Sequence, residues 1–232
     1  RAASERAGTM LAAAYTLAWF AMLRPTEYML TPAHPKFDRT RHMRAQDVKL
    51  FDRHRKEVDA DGAPAYMTVN IKQSKTDWQR LGATMVIGAT GGSECPVKCM
   101  CTYLKAHRPQ PEGPLFPGLQ YRTMLRATRS LIDKHPELYA LHSFRVGGAQ
   151  ALALAGRSYE YIMAKGRWKH AESVIRYVET PLEVAATDSR DMTTRWPGTG
   201  GRDGSVWGGT HCNQEKSRKV RKDRAAPTGA GK

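Results

Sequence analysis

Four side chains between residues 142 and 177 could together hold and attack a phosphodiester. His142 and Arg145 are three residues apart, so on a helix the imidazole and the guanidinium lie on one face and can contact the same ligand. A guanidinium matches two phosphate oxygens and stays charged at biological pH. Trp168 and Tyr177 follow, nine residues apart, which allows groups on different elements to reach one phosphate. These residue types predict phosphoryl transfer by cations and a phenol.

A fifth candidate, Arg24, stands directly before Pro25. Residues 4–23 repeat apolar side chains at three- and four-residue steps and predict a helix. Proline disfavours the α conformation in the residue before it and is favoured in the first turn of a new helix. Arg24 is therefore predicted at a break between two helices, beside free backbone N–H groups that favour an anion.

Taken in order, these residues resemble the active-site signature of the tyrosine recombinases, the phage integrase family. In that family an H-x-x-R pair precedes a glycine and a His or Trp, and the nucleophilic Tyr follows at the spacing of Trp168 and Tyr177 here. One residue separates Gly166 from Trp168, which leaves His170 as the alternative to Trp168. Residues 23–27 match the family's Leu-Arg-x-x-Glu pattern.

The resemblance implies a role for each of these side chains. Tyr177 would attack the scissile phosphate and form a covalent 3′-phosphotyrosyl link to DNA. Arg24 and Arg145 would hold the non-bridging oxygens. His142 would contact the phosphate or help to accept the tyrosine proton, and Trp168 would donate its indole N–H to the phosphate. The resemblance implies no metal, no ATP and no other cofactor.

The resemblance also implies a catalytic lysine on a β-hairpin. Three strands are predicted from segments that alternate polar and apolar side chains or are rich in β-branched ones. These segments are residues 47–51, 66–72 and 84–87. Between the last two lies a polar loop that contains Ser-Lys-Thr, the form the family often uses, so Lys75 is the matching residue. Lys72 is the alternative.

The remaining elements complete a mixed fold. The fold class predicted is α+β, mainly α-helical, and the resemblance implies the tyrosine recombinase catalytic-domain fold with a small antiparallel sheet. Further helices are predicted at residues 95–107, 121–134, 149–156, 158–166 and 182–191. The catalytic domain is assigned to residues 1–187, and residues 188–232 form a Gly-rich and then basic tail that is predicted to be disordered. The family's separate N-terminal helical domain has no room before Arg24, so weak, salt-sensitive DNA binding is expected of this chain alone.

The charge of the chain favours a polyanionic partner. Lys and Arg number 37 against 22 Asp and Glu, a net charge of +15, and neutralising phosphates drives most non-specific nucleic-acid affinity. The basic side chains of residues 121–134 are either DNA contacts or ordinary solvated groups. The candidates for DNA contact are Arg122, Arg126 and Arg129 from that segment, together with Lys72 and Lys169.

Two other classes of protein are disfavoured. The sequence has no apolar run of eighteen or more residues, so no membrane-spanning helix is predicted. The 4 cysteines, Cys95, Cys99, Cys101 and Cys212, are too few to staple a chain of this size and indicate a reducing compartment. Their spacing differs from the paired C-x-x-C of structural zinc sites, so no metal is predicted.

The function predicted is that of a site-specific DNA recombinase or integrase that cleaves and rejoins strands through Tyr177, and the resemblance implies an origin in a mobile element. Its expected partner is double-stranded DNA, on which the resemblance implies a tetramer bound to two sites. The expected location is intracellular and DNA-associated, the nucleus in a eukaryote. Two alternatives stay open: relaxation of DNA in the manner of a type IB topoisomerase, and a catalytically silent DNA-binding module of the same fold.

Overall fold

The fold is known from a computed structural model, which describes residues 2–72, 82–175 and 177–178. Those residues form an α+β fold with seven α-helices and a four-stranded antiparallel sheet, as predicted at the level of fold class. The helices are α1 (Ala2–Phe20), α2 (Pro25–Tyr28), α3 (Pro96–His107), α4 (Tyr121–Arg129), α5 (Ser143–Leu154), α6 (Tyr159–Gly166) and α7 (Ala171–Ile175). Short 3₁₀ turns occupy Ala45–Asp47 and Pro136–Leu138.

Helix α1 ends at Phe20, three residues before the predicted end at residue 23. Met22 has a φ of 45°, the left-handed conformation that terminates many helices. The N–H of Leu23 donates to the carbonyl of Ala18 at 3.0 Å, and that of Met22 to Trp19 at 3.2 Å, so the last carbonyls of the helix are satisfied by a Schellman turn. Pro25 then begins α2, as predicted, and the residue before it, Arg24, is extended.

The sheet consists of β1 (Val48–Phe51), β2 (Glu57–Val58), β3 (Tyr66–Ile71) and β4 (Ala83–Gly88), in the order β2-β1-β3-β4. Val69 of β3 pairs with Val48 of β1 and with Met85 of β4. The three longer strands confirm the predicted ones. Strand β2 was not predicted, because two residues are too short to show an alternating pattern.

Two buried clusters hold the described residues together. The larger joins the sheet to α1 and α3, with Met67, Leu17 and Met100 completely buried. The smaller joins the end of α1 to α5, α6 and α7, and its buried members are Met22, Ala149, Ile162 and Val174. Trp168, one of the candidate site residues, packs against the smaller cluster.

Helix α4 ends at Arg129, five residues before the predicted end at residue 134. The guanidinium of Arg129 donates to the carbonyls of Tyr139 and Glu137, each at 3.1 Å. Because these bonds hold the following segment back against the helix, the chain turns there instead of continuing as a helix.

Several predictions lie outside the described residues. They are the loop that carries Lys75, the helix at residues 182–191, the domain boundary at residue 187 and the tail 188–232. Among the helices that the structure describes, none is long and apolar enough to cross a membrane.

Candidate active site

A buried carboxylate, that of Glu27, organises the candidate site. Glu27 is 2% exposed, and a buried charge of this kind requires close partners. Its Oε1 lies 3.2 Å from Nη1 of Arg24, and its Oε2 accepts the backbone N–H of Arg24 at 2.9 Å. Oε2 also accepts Nη2 of Arg167 at 2.9 Å. Two guanidinium groups from distant parts of the sequence therefore meet on one carboxylate.

Arg167 connects the turn after α6 to the break between α1 and α2. Its backbone is left-handed, with a φ of 60°, and its guanidinium donates to the carbonyls of Ala21 at 3.0 Å and Met22 at 3.2 Å. These carbonyls belong to the turn that ends α1. The side chain thus links the segment that carries Trp168 to the segment that carries Arg24.

Arg145 is completely buried, with 0% of its surface exposed. Its two terminal nitrogens donate to the carbonyls of Met22 and Gly166. Its guanidinium carbon lies 4.1 Å from the centre of a Trp168 ring, a distance at which a cation is attracted to the indole face. Its Nε is buried and has no acceptor among the residues that the structure describes.

Two glycines allow the close approach of these elements. A Cβ at Gly148 of α5 would lie 2.6 Å from the carbonyl oxygen of Trp19, so α5 can pack directly on the end of α1 only with glycine there. A Cβ at Gly166 would lie 1.7 Å from Cζ3 of Trp168. The carbonyl of Gly166 itself accepts from Arg145.

The cluster has more positive than negative charge. Within the described part of the chain, the guanidiniums of Arg24, Arg145 and Arg167 face one carboxylate, that of Glu27. Burial, followed by the charges of Arg24 and Arg167, lowers the pKa of Arg145 to about 9, which still leaves it protonated at neutral pH. Cations that lower one another's pKa are stabilised by an added anion. The arrangement therefore favours binding of an anion.

The hydroxyl of Tyr177 lies at the edge of this cluster. Its Oη is 3.4 Å from Nε2 of His142, a long hydrogen bond, and the two rings meet edge to face with centres 5.7 Å apart. The Trp168 and Tyr177 rings are 5.9 Å apart. Burial, followed by the charges of Arg145 and Arg24, lowers the pKa of His142 below its ordinary value. His142 is therefore mainly neutral at pH 7, and in the tautomer that carries its proton on Nδ1 its Nε2 can accept a proton from the phenol.

The structure brings together five of the predicted site residues: Arg24, His142, Arg145, Trp168 and Tyr177. Trp168 contacts both Arg145 and Tyr177, whereas His170, its alternative, is exposed. Lys75 lies outside the described residues. Lys72, its alternative, pairs with Asp47 at 3.2 Å.

The side chains predicted to contact DNA differ in their exposure and in whether their charge is already paired within the protein. Arg122, Arg126 and Lys169 are exposed. Arg129 is half-buried, and its guanidinium is occupied by backbone carbonyls. Lys72 is committed to a buried carboxylate, because Asp47 is only 6% exposed. The exposed three are therefore the better candidates for contact with a phosphate backbone.

Sequence reasoning did not single out Arg167, and it noted Glu27 only as part of a motif. The one signal for Arg167 was its position between Gly166 and Trp168, where it interrupts the family's pattern. The spacing of Arg24 and Glu27 agrees with their contact in the structure, since residues three apart meet on one helical turn.

No protein-family model and no curated protein matches this chain. The described residues contain no group of three or more His, Cys, Asp or Glu side chains that could hold a metal ion. Within that part of the chain, the groups available at the site are guanidiniums, a carboxylate, an imidazole, an indole and a phenol.

Proposed function

We propose that this chain is the catalytic domain of a tyrosine recombinase, which cleaves and rejoins DNA through a covalent 3′-phosphotyrosyl intermediate on Tyr177. One observation carries the proposal: the Tyr177 hydroxyl lies 3.4 Å from Nε2 of a neutral His142, beside a cluster of arginines with excess positive charge. A nucleophile, a base and cations for the phosphate are thereby present in one place.

The proposed reaction follows from these groups. The Tyr177 oxygen attacks the scissile phosphorus, its proton passes to Nε2 of His142, and a bond forms between phosphorus and the tyrosine oxygen. The bond between phosphorus and the 5′ oxygen breaks. Lys75 gives that oxygen a proton, so that a free 5′-hydroxyl leaves. Attack by a second 5′-hydroxyl reverses these steps and joins a new strand.

The excess charge suits the transition state better than the substrate. A phosphodiester carries one negative charge, and the attack of an oxygen that is losing its proton adds negative charge to the phosphoryl group. Among the described residues, three guanidiniums and one carboxylate leave a positive charge whose effect grows more favourable as this negative charge develops. The cluster would therefore lower the barrier and not merely hold DNA.

The proposed partner is double-stranded DNA, on which the resemblance implies a tetramer assembled over two sites. The net charge of +15 supports a polyanionic partner. The proposed location is intracellular and DNA-associated, in the nucleus if the host is a eukaryote.

The test uses a pool of nicked suicide duplexes of randomised sequence, with the cleaved strand labelled at its 5′ end. The wild-type chain is expected to give a band on a denaturing gel that resists salt and detergent and disappears on protease treatment. Tyr177→Phe should remove that band, because it lacks the nucleophilic oxygen. Tyr161→Phe, at an exposed tyrosine, is the matched control and should keep it. An unchanged adduct in Tyr177→Phe would contradict the proposal.

A second candidate function is supported by the burial of Arg145. Its two terminal nitrogens already bind backbone carbonyls, and 0% of its surface is exposed, as expected of an arginine with a structural role. The chain would then be a DNA-binding module without catalysis. Binding of the duplex pool without any covalent adduct, in the wild type and at all pH values between 6 and 9, would favour this candidate.

A further inference from the structure

Arg24 and Arg167 share the buried carboxylate of Glu27, and the two arginines differ in what else they can reach. The side chain of Arg167 is 9% exposed and is held by Glu27 and by the carbonyls of Ala21 and Met22. The side chain of Arg24 is 16% exposed, and its contact with Glu27 is the longer one, 3.2 Å against 2.9 Å. Arg24 is therefore the arginine that can turn toward a ligand.

That movement would be unfavourable with Arg24 and Glu27 alone. Turning Arg24 to a phosphate would leave a carboxylate that is 2% exposed without a counter-charge, and an unpaired buried charge is strongly destabilising. With Arg167 bonded to Oε2 at 2.9 Å, Glu27 keeps one guanidinium whatever Arg24 does. The cost of moving Arg24 then falls.

We propose that Arg167 is a positioning residue that keeps Glu27 paired and thereby makes Arg24 available to the scissile phosphate. Its catalytic consequence rests on the proposed recombinase function. Arg167 itself does not contact the phosphate and acts only through Glu27 and Arg24. A side chain that merely packed the turn between α6 and α7 would affect stability, but it would not change how strongly Arg24 contributes to DNA binding.

The first experiment therefore measures coupling between Arg24 and Arg167 without any cleavage. All variants carry Tyr177→Phe, and the affinity for an intact duplex of random sequence is measured at fixed salt. With Arg167 present, Arg24→Gln should weaken binding about tenfold, the effect expected for loss of one hydrogen bond to a charged group. In chains that carry Arg167→Gln, adding Arg24→Gln should weaken binding less than about twofold. Without Arg167, the Arg24 side chain already stays on Glu27 and does not contribute to DNA binding, so its removal changes little.

The second experiment measures adduct formation on the suicide duplexes. Arg167→Gln should slow it about 100-fold, as expected when a phosphate-binding group is displaced. Arg167→Lys should recover at least half of that loss on a logarithmic scale, because an ammonium can pair with Glu27 but cannot also fork to both carbonyls. A chain with both Glu27→Gln and Arg167→Gln should form the adduct no more slowly than a chain with Glu27→Gln alone.

Arg157→Gln is the matched control, since it removes one guanidinium from an exposed position near α6. It should leave adduct formation and the effect of Arg24→Gln unchanged within about twofold. Circular dichroism and thermal unfolding identify any variant that fails to fold, and if Arg167→Gln does so, Arg167→Met, which also removes the charge paired with Glu27, takes its place in both experiments.

The two experiments distinguish the two proposals. Equal effects of Arg24→Gln with and without Arg167 would overturn the role proposed for Arg167, whether or not the wild type forms an adduct. Absence of a wild-type adduct together with coupled binding would overturn the recombinase proposal and leave Arg167 as a positioning residue of a DNA-phosphate site.

Discussion

Two regions of this molecule share one local motif and differ in the charges around it. At Arg24 the backbone N–H donates to Glu27 at 2.9 Å and Nη1 lies 3.2 Å from the same carboxylate. At Arg44 the backbone N–H donates to Asp47 at 2.8 Å and Nη2 lies 3.2 Å from it. In both, an extended arginine begins a short helical turn, and an acidic residue three positions later folds back on it.

The surroundings separate these two turns. Around Asp47, the second cation is Lys72 at 3.2 Å, and Arg44 also meets Glu112 at 2.7 Å, so the ion pairs there join two cations to two carboxylates within the described residues. Around Glu27, Arg167 and Arg145 are added without a second carboxylate in that part of the chain. The motif alone gives a stable turn, and among the described residues the added cations favour an anion beside Glu27.

The largest expected difference is in stability. Glu27→Gln leaves the buried arginines without their carboxylate and should lower the free energy of unfolding by about 3–5 kcal/mol. Asp47→Asn should lower it by about 2 kcal/mol or less, because Arg44 keeps Glu112 and the side chains of Arg44 and Lys72 reach solvent. Urea denaturation measures both. If Asp47→Asn lowered the free energy of unfolding at least as much as Glu27→Gln, the charge balance would not explain the difference in stability.

Arginine substitutions should separate the two turns by activity. Arg24→Gln removes a donor to the phosphate and should slow adduct formation about 10²–10³-fold. Arg44→Gln removes the corresponding side chain from the balanced turn, and the rate should stay within about threefold of wild type. Suicide-duplex cleavage measures both variants under the same conditions. Equal losses in the two would mean that the surplus charge is not what makes the first turn a site.

A smaller effect is expected on the titration of His142. Burial, Arg145 and Arg24 lower its pKa below 6.5, so adduct formation should decline only below pH 6.5, by about tenfold per pH unit. Because the folded chain binds this proton less readily than the unfolded chain, the stability contributed by neutral His142 is present above pH 6.5 and lost as pH falls through the lowered value.

The pKa of His142 should respond to a substitution in the first turn and not to the matching substitution in the second. Arg24→Gln removes a nearby positive charge and should raise the pKa of His142 toward 6.5, whereas Arg44→Gln should leave it unchanged. Titration of the His142 imidazole by NMR, assigned with His142→Asn, measures the shift. A pKa that responds equally to both substitutions would contradict the assignment of this shift to the surplus of cations beside Glu27.

The smallest effect concerns lysines. Lys72 is neutralised by Asp47, so Lys72→Gln should scarcely change the salt dependence of DNA binding. Lys169 is exposed, and if it contacts a phosphate, Lys169→Gln should reduce the slope of log affinity against log salt by about 0.9. Fluorescence anisotropy at several salt concentrations measures the slopes. A larger change for Lys72 would mean that this lysine leaves Asp47 when DNA binds.

The parts of the site that are local in sequence could be predicted. Proline placed Arg24 at a helix break, and the strands were visible in their alternation. The resemblance predicted that Arg24, His142 and Tyr177 lie together, but no pattern in the chain relates Arg167 to Glu27, which are 140 residues apart. The same applies to Lys72 and Asp47, and to the carbonyl of Met22, which becomes available to Arg145 only because α1 ends early in a left-handed turn.

The most direct test of the central claim is to identify the residue that carries DNA. The suicide-duplex adduct is digested with nuclease and trypsin, and the modified peptide is sequenced by mass spectrometry. We predict a nucleotide joined through a 3′-phosphate to Tyr177, in the peptide that begins after Arg176. A nucleotide on another residue such as Tyr161, or DNA that binds without any modified peptide, would contradict the proposal that the arginine cluster serves attack by Tyr177.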